Sequence, residues 1–588
     1  MGRLSPTRKR HRQDACPTSH GRGARTANRR ETALHWRHLL SREQGTPRII
    51  APADCQVALV YPNTYAVGMS NLGYQMVYRW INEQPGALAE RFFCENAVVG
   101  AQPDLRRAAP TFPALSVENQ RPLEQFDLVA FSIAYELDYL NVVRFLLNSG
   151  VGLLARERDP ASEPIVIAGG VCLLVNRLPI YDLADVLVMG DGEETVTQII
   201  AQWVESCGDR GRSGRGAVCC ARAQFLQAIA TIEGVEVSEG ACQRFRRGGA
   251  IREWSLPAAP APTSAIQNLK SKIENPKSVR PHFVQSLDST DAYSKIITPN
   301  AELADRCLVE IARGCPYGCR FCFIGHSLPY RPRPFAAVCE IIERGRRLTR
   351  RFGLIAPAVG SHPDIDRICQ WCLSEGLEVS FSSLRLEDVT PAMLDLLSAS
   401  GQQSVTIAPE AGSERLRGLL GKNLSDEQVI AFAGDAVAHG LTDLRMYFMV
   451  GLPTEQDEDI EAIAHLARAT RRAATAKRSG TGRAGILPAK SRPFRSKIEI
   501  NVSIFVPKPG TPLAKLQTPP SAQIKKHLKH LDTLLRHTDG IAFRMPSLAE
   551  AEAQKILAWA DRGVLQTLIA VAREGGSWRR FAGRVSRE

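Results

Sequence analysis

The sequence predicts an α/β protein in two units, an amino-terminal doubly wound α/β domain followed by a (β/α)6 partial barrel and a helical carboxyl-terminal region. Three observations carry this. Short apolar, β-rich runs alternate with stretches of helical period over residues 46–205 and again from Leu308 onward. Between the two series, residues 256–281 hold five prolines, which mark a linker. The turns Gly169-Gly170 and Gly190-Asp191-Gly192 fall at the carboxyl ends of predicted strands, where doubly wound sheets bind ligands.

In chain order, residues 1–45 read as a disordered basic tail and 46–255 as the α/β wing domain. The wing strands are predicted at Cys55 to Tyr61, Leu128 to Ile133, Ile165 to Ala168 and Val186 to Met189. Helices are predicted at Tyr74 to Asn82, Tyr139 to Leu147 and Glu193 to Val204. A linker covers 256–290. The barrel covers 291–515, with strands at Leu308 to Ala312, Gly353 to Ala356, Leu377 to Leu384, Ser404 to Ala408, Leu444 to Met449 and Ile498 to Val506, each followed by a helical pattern. Residues 474–497 are long for a connection between a helix and a strand and read as a disordered insertion, and 516–588 are mostly helical by pattern.

Composition narrows the function. At 588 residues, 44% hydrophobic and 23% charged, the chain can bury several cores. No run approaches the ~18 apolar residues of a spanning helix, and no apolar stretch follows the arginine-rich start, so a cytoplasmic, non-membrane protein is expected. The net charge of +13 is confined to two segments. Residues 1–48 hold twelve Arg and Lys against three acids, residues 468–497 hold ten against none, and the remainder is acidic by six. Such segments read as solvated arms, with nonspecific nucleic-acid contact as the lesser alternative.

Spacing singles out three of the fifteen cysteines. Cys315, Cys319 and Cys322 follow the first barrel strand in Arg313-Gly314-Cys315-Pro316-Tyr317-Gly318-Cys319-Arg320-Phe321-Cys322, a turning loop that can bring three thiolates together. Thiolates select iron–sulfur clusters or zinc. His326 would complete a Cys3His zinc site, so a binding module for RNA or protein with a structural zinc or relic cluster stands as an alternative of another class.

The pattern Cys-x3-Cys-x-Phe-Cys after a first barrel strand resembles the radical S-adenosylmethionine (radical SAM) superfamily. The barrel also matches at Arg331-Pro332-Arg333-Pro334, Ser382-Ser383-Leu384-Arg385, Ala408-Pro409-Glu410-Ala411-Gly412-Ser413, Tyr447 to Glu455, and Pro507-Lys508-Pro509-Gly510-Thr511-Pro512. The resemblance implies a [4Fe–4S] cluster held by Cys315, Cys319 and Cys322, with one iron left to chelate the amino and carboxylate groups of S-adenosylmethionine. Reductive cleavage of the cofactor would give a 5′-deoxyadenosyl radical that acts on an unknown substrate, with a one-electron donor such as flavodoxin or ferredoxin. Phe321 would lie against the adenine, and Ser383, Arg385 and Glu410 would serve the ribose or methionine moiety.

The usual Gly-Gly-Glu after the second strand is replaced here by Val359-Gly360-Ser361-His362-Pro363-Asp364, so Ser361 takes part of that role in this reading and His362 is either a helix-start residue before Pro363 or an active one. The wing resembles the cobalamin-binding domain of related enzymes at Val67 to Gly73, Gly169-Gly170 and Gly190 to Glu193. No histidine lies between His38 and His282, so the lower axial ligand is missing. A degenerate wing without cobalamin is the first reading, and a cobalamin-dependent radical SAM methyltransferase is the alternative.

Overall fold

The computed structural model describes residues 20–45, 53–94, 114–208, 215–247, 279–288, 291–382, 384–480 and 497–587. The wing sheet consists of β1 (Cys55–Tyr61), β2 (Ala87–Phe93), β3 (Leu128–Ser132), β4 (Ile165–Gly169), β5 (Val186–Val188) and β6 (Val235–Val237) in the order β2-β1-β3-β4-β5-β6. All pairings are parallel except β5 with β6. The order reverses between β1 and β3, so the loops after those strands diverge and leave a crevice at the sheet edge. The parallel strands read as nearly unbroken apolar runs because helices cover both faces.

Those faces have separate cores. One is packed by the helices Leu72–Asn82, Glu193–Cys207 and Arg215–Ile229. The other is packed by Tyr139–Leu147 and by the carboxyl-terminal helices, which send Leu557, Leu565, Leu568, Val571 and Phe581 against Leu140 and Val143. The chain's last helices therefore complete the wing. Asn176 Nδ2 donates to the carbonyls of Leu557 and Ala560, at 2.8 Å each, and fixes their docking.

The barrel begins at β7 (Cys307–Glu310). The hairpin of β8 (Ala312–Arg313) and β9 (Arg331–Pro332) follows, then β10 (Arg351–Ile355), β11 (Glu378–Phe381), β12 (Ser404–Glu410), β13 (Asp443–Val450), β14 (Lys497–Ile504) and β15 (Ile541–Arg544). β7, β10 and β11 form one parallel sheet and β12 to β15 another, joined by a parallel bridge between Leu384 and Ile407. The six expected strands are present in the expected order, with β15 as a seventh. The wing lies against the barrel's inner face, where Leu72 and Met76 pack on Leu308, and Trp80 and Ile355 border them.

A buried ionic network ties the units together. Arg313 reaches Asp191 at 2.9 Å, Glu193 at 2.7 Å and Glu310 at 2.9 Å. Arg331 reaches Asp191 at 2.5 Å, and Arg333 reaches Glu310 at 2.7 Å. Asp191 and Glu193 belong to the wing's third glycine turn, and Arg331 and Arg333 to the Arg-Pro-Arg-Pro motif.

Three domain expectations need correction. The tail 1–45 is not wholly disordered. A helix spans His20–Leu40, Trp36 and Leu39 are buried in the wing core, and Gln44 pairs with Ile297. Arginines around those two apolar residues conceal the stripe. Likewise, the helix Asp457–Gly480 carries through the start of the expected insertion 474–497, with Ala474 buried. The rest of that insertion, 481–496, is outside the described residues. The linker 256–290 is pinned at its end, where His282 bridges Gly190 and Leu287 is buried, while 256–278 lie outside the described residues.

β2 was absent from the sequence reading because Glu90 and Arg91 interrupt its apolar run. Both are buried and paired, Glu90 with Arg121 at 3.1 Å and Arg91 with Glu118 at 2.6 Å and Glu43 at 2.8 Å. Removing one partner of a buried pair costs about 3 kcal/mol or more, because the other charge is left desolvated. Glu43→Ala is expected to lower stability by about that amount, seen as an earlier urea midpoint, whereas a tail that did not pack would leave the midpoint in place.

Candidate functional site

The cysteine loop runs from Gly314 to Tyr330, between the two strands of the β8–β9 hairpin. Gly314 has φ +72°, and a Cβ there would lie 2.1 Å from the Pro329 carbonyl oxygen, so only glycine closes this turn. Arg320 anchors the loop from both sides, its N–H donating to Leu420 at 2.9 Å and its carbonyl accepting from Leu513 at 3.1 Å. Phe321 is partly buried against the apolar cluster of Leu416, Leu420, Met449, Leu452, Phe505 and Leu513 at the ends of the later strands.

Cys315, Cys319 and Cys322 are free thiols on this loop. Burial pushes the Cys315 thiol up, and the neighbouring Cys322 and Cys319 add to the shift, which shows the three sulfurs within electrostatic reach of one another. Among the described residues no set of three or more His, Cys, Asp and Glu side chains converges as one metal ion requires. A tetrahedral zinc would hold its sulfurs roughly 4 Å apart, given Zn–S bonds of about 2.3 Å, whereas each thiolate of a cluster meets a different iron. His326 does not complete the set, since its Nε2 faces the Cys319 carbonyl oxygen at 3.1 Å.

Arg385, after β11, donates from Nη1 to Cys319 Sγ at 3.3 Å and pairs through Nη2 with Glu387 at 2.7 Å. Its guanidinium lies 4.1 Å from the centre of the Tyr317 ring, whose hydroxyl donates to Asp388. Two buried atoms of this group have no partner, Arg385 Nε and Asp388 Oδ2. Glu410 ends β12 at φ +72°, where the β12–β13 register shifts. Such a bulge redirects a side chain at some cost in strain. Its carboxylate meets Lys422 Nζ at 3.1 Å, and burial pushes its pKa up while Lys422 opposes the shift.

Of the expected cofactor residues, the structure brings Arg385, Glu410 and Phe321 to the same strand ends as the cysteines. Ser383 lies outside the described residues. Ser361 donates to Ala358 O at 2.7 Å, and His362 is held between Arg333 O at 2.8 Å and Asp364 N at 3.1 Å, which makes it a structural residue. Tyr317 and Asp388 were missed. The one signal for Asp388 was its place three residues after Arg385 at a strand end.

The wing's edge carries a second polar group. Asn63, after β1, donates to Asp138 Oδ1 at 2.8 Å, and Asp138 Oδ2 is buried without a partner. Glu136 accepts from Gln554 at 3.0 Å and from Lys508 of the loop after β14. Three glycines of the turns compared with a cobalamin site pack closely on the chain. A Cβ at Gly68 would lie 2.4 Å from the Phe93 ring, one at Gly170 2.2 Å from Ile133 O, and one at Gly190 1.9 Å from His282 O. No histidine lies between His38 and His282, and His282 itself pairs with Gly190 at the third turn.

Residues 73–237 match the family described as radical SAM proteins, N-terminal, and residues 309–467 match the radical SAM superfamily. The chain belongs to the radical SAM superfamily. An uncharacterised protein of Methanocaldococcus jannaschii is 24% identical over 519 residues, covering 87% of this radical SAM chain and 90% of that protein. The radical S-adenosylmethionine methyltransferase TsrM of Kitasatospora setae, solved with cobalamin and a [4Fe–4S] cluster, superposes with a TM-score of 0.46 at 14% identity over 89% of this chain and 99% of that one. The cobalamin-dependent S-adenosylmethionine radical enzyme OxsB, solved with aqua-cobalamin, gives 0.41 at 13% over 70% and 52%.

This radical SAM enzyme is thereby expected to hold a [4Fe–4S] cluster and S-adenosylmethionine, and its site fits both. The three free thiols share one rigid loop, and the unpartnered Arg385 Nε and Asp388 Oδ2 offer a donor and an acceptor beside it. Among the described residues no helix is long and apolar enough to cross a membrane.

Burial pushes the Asp138 carboxyl up to about 7, while Asn63 and Asn141 oppose the shift. A carboxyl whose folded pKa exceeds its unfolded value favours folding below the unfolded pKa and loses that contribution as pH rises. The protein is therefore expected to lose stability relative to Asp138→Asn from about pH 4 to pH 7, by an order of magnitude of ~4 kcal/mol. Urea midpoints of both proteins across this range check it, and parallel pH profiles would contradict it.

Proposed function

We propose that the protein reductively cleaves S-adenosylmethionine and directs the resulting 5′-deoxyadenosyl radical to a substrate on the polar inner face of the barrel. The observation that carries this is the Cys315–Cys319–Cys322 loop, held rigid at the ends of parallel strands with Arg385 donating to Cys319 Sγ. A reduced cluster supplies the electron that splits the C5′–S bond, and a carrier such as flavodoxin or ferredoxin would deliver it. The three cysteines are assigned as ligands of the cluster. Arg385, which the resemblance gave to the ribose or methionine moiety, is assigned to the Cys319 sulfur, where a cationic donor stabilises negative charge on thiolate.

Glu410 is assigned to the ribose hydroxyls. Lys422 holds one of its oxygens, and the left-handed backbone presents the carboxylate at the strand end. Phe321 keeps its place in the apolar cluster and offers a partly exposed ring to the adenine. On β13, Leu444, Met446, Phe448 and Val450 face the helices, so Arg445 and Tyr447 face inward, beside Glu499 at 3.3 Å from Arg445. This inner face suits a substrate with hydrogen-bonding groups. A second reading, cobalamin-dependent methyl transfer, draws support from the unpartnered Asp138 Oδ2 at the wing's crevice, and stoichiometric cobalamin accompanying the purified protein would select it.

Anaerobically reconstituted protein under strong reductant is expected to release 5′-deoxyadenosine without added substrate, measured by chromatography. Cys319→Ala should lose iron, labile sulfide and the product together, whereas His326→Ala should keep all three. Glu410→Gln should slow release roughly tenfold with cluster absorbance intact, the scale of a lost hydrogen bond to a charged group. Absence of deoxyadenosine from the parent would overturn the enzymatic reading.

A further inference from the structure

The loop after β11 carries an acid that belongs to none of the sequence motifs. Asp388 Oδ1 accepts from the hydroxyl of Tyr317, two residues beyond Cys315. Oδ2 is buried and has no partner among the described residues. The same residue presses on the end of the second strand, since a Cβ at Gly360 would stand 2.6 Å from Asp388 O and 2.7 Å from Asp388 Cβ. The carboxylate thus sits between the cysteine loop and the strand end at Val359-Gly360-Ser361.

Val359-Gly360-Ser361 holds no acid, and the next one, Asp364, stands at the start of the helix Ile365–Ser374. The Ser361 hydroxyl is spent on Ala358 O, its carbonyl accepts from Tyr330 at 3.1 Å, and His362 is held at both ring nitrogens. Asp388 brings a carboxylate to this strand end from the loop after β11, through its close approach to Gly360. An acceptor oxygen buried without a donor is costly, and a ligand that supplies an N–H or O–H removes that cost. Burial pushes the Asp388 carboxyl up, with Tyr317 and Arg385 opposing, as expected of a group waiting for a donor.

S-adenosylmethionine brings three kinds of donor, the α-amino group, the ribose hydroxyls and the adenine 6-amino group, and the adenine is assigned to Phe321 on the cysteine loop. The ribose side is already served by Glu410 across the site, and Asp388 is tied through Tyr317 to the loop that bears Cys315. We propose that Asp388, oriented by Tyr317, accepts a hydrogen bond from the α-amino group of S-adenosylmethionine and so replaces the acid missing from the second strand. This rests on the radical SAM reading of the same loop. Tyr317 acts as a positioning residue through Asp388.

The test uses the reconstituted full chain and compares the dissociation constants of S-adenosylmethionine and of its analogue lacking the α-amino group. The parent should prefer the natural cofactor. In Asp388→Ala that preference should shrink about tenfold, with affinity for the analogue and iron content unchanged, because only the amino contact is lost. Asp388→Asn keeps an acceptor oxygen in the same shape and should shrink the preference less, about threefold, which guards against a folding defect in the alanine variant. Tyr317→Phe should lower affinity for the natural cofactor and not for the analogue. Equal weakening of both ligands in the Asp388 variants would overturn the proposal, as would an undiminished preference. A parent that assembles no cluster would instead overturn the functional reading beneath it.

Discussion

The structure depends on a balanced set of six charges at the base of the cysteine loop, four of them buried and Arg313 and Glu310 partly so. Asp191 meets Arg313 at 2.9 Å and Arg331 at 2.5 Å, and these two arginines face each other across the β8–β9 hairpin. Every residue from Gly314 to Tyr330 lies between them, so one wing carboxylate clamps both feet of the loop. Glu193, Glu310 and Arg333 complete the set. Buried ion pairs repay their desolvation poorly, and their effect here is one of geometry. The three thiols cannot shift relative to the wing without separating charges that water does not reach.

This constraint accounts for a wing that is built into the site. Leu72 and Met76 lie on Leu308 at the barrel's inner face, and the final helices are buried in the wing's core. Chain from both ends of the sequence thus encloses the site, joined to the barrel by Lys508 with Glu136 and by the Trp559 indole with Pro507 O at 2.9 Å. A chemistry that passes through a reactive radical needs walls of this kind to keep out water and side reactions. Gly68, Gly170 and Gly190 lie in close contact with the chain itself.

Much of the fold was legible because the parallel strands are covered on both faces. β7, β10, β12, β13 and β14 stand out as short apolar runs at regular intervals, and the helices between them keep their period. β2 was not legible, because Glu90 and Arg91 read as surface when both are buried with partners. The tail helix was hidden by its arginines, and β15 by its four residues. At the site, the cysteines, Arg385 and Glu410 were marked by motif. Arg385 nevertheless turned out to face Cys319 Sγ, a contact spanning 66 positions that no local pattern records.

The sequence by itself determined the class of the protein, two α/β units with a cysteine loop after the first barrel strand, since periodicity and ligand spacing are set by neighbours a few residues apart. Only the tertiary structure decided that the carboxyl-terminal helices belong to the wing, that Asp191 holds Arg313 and Arg331 from over 120 positions away, and that Asp388 Oδ2 is left without a donor beside the loop. Charge pairing and burial are properties of which surfaces meet. A sequence states the charges and their order, and folding alone decides which of them lose their water together.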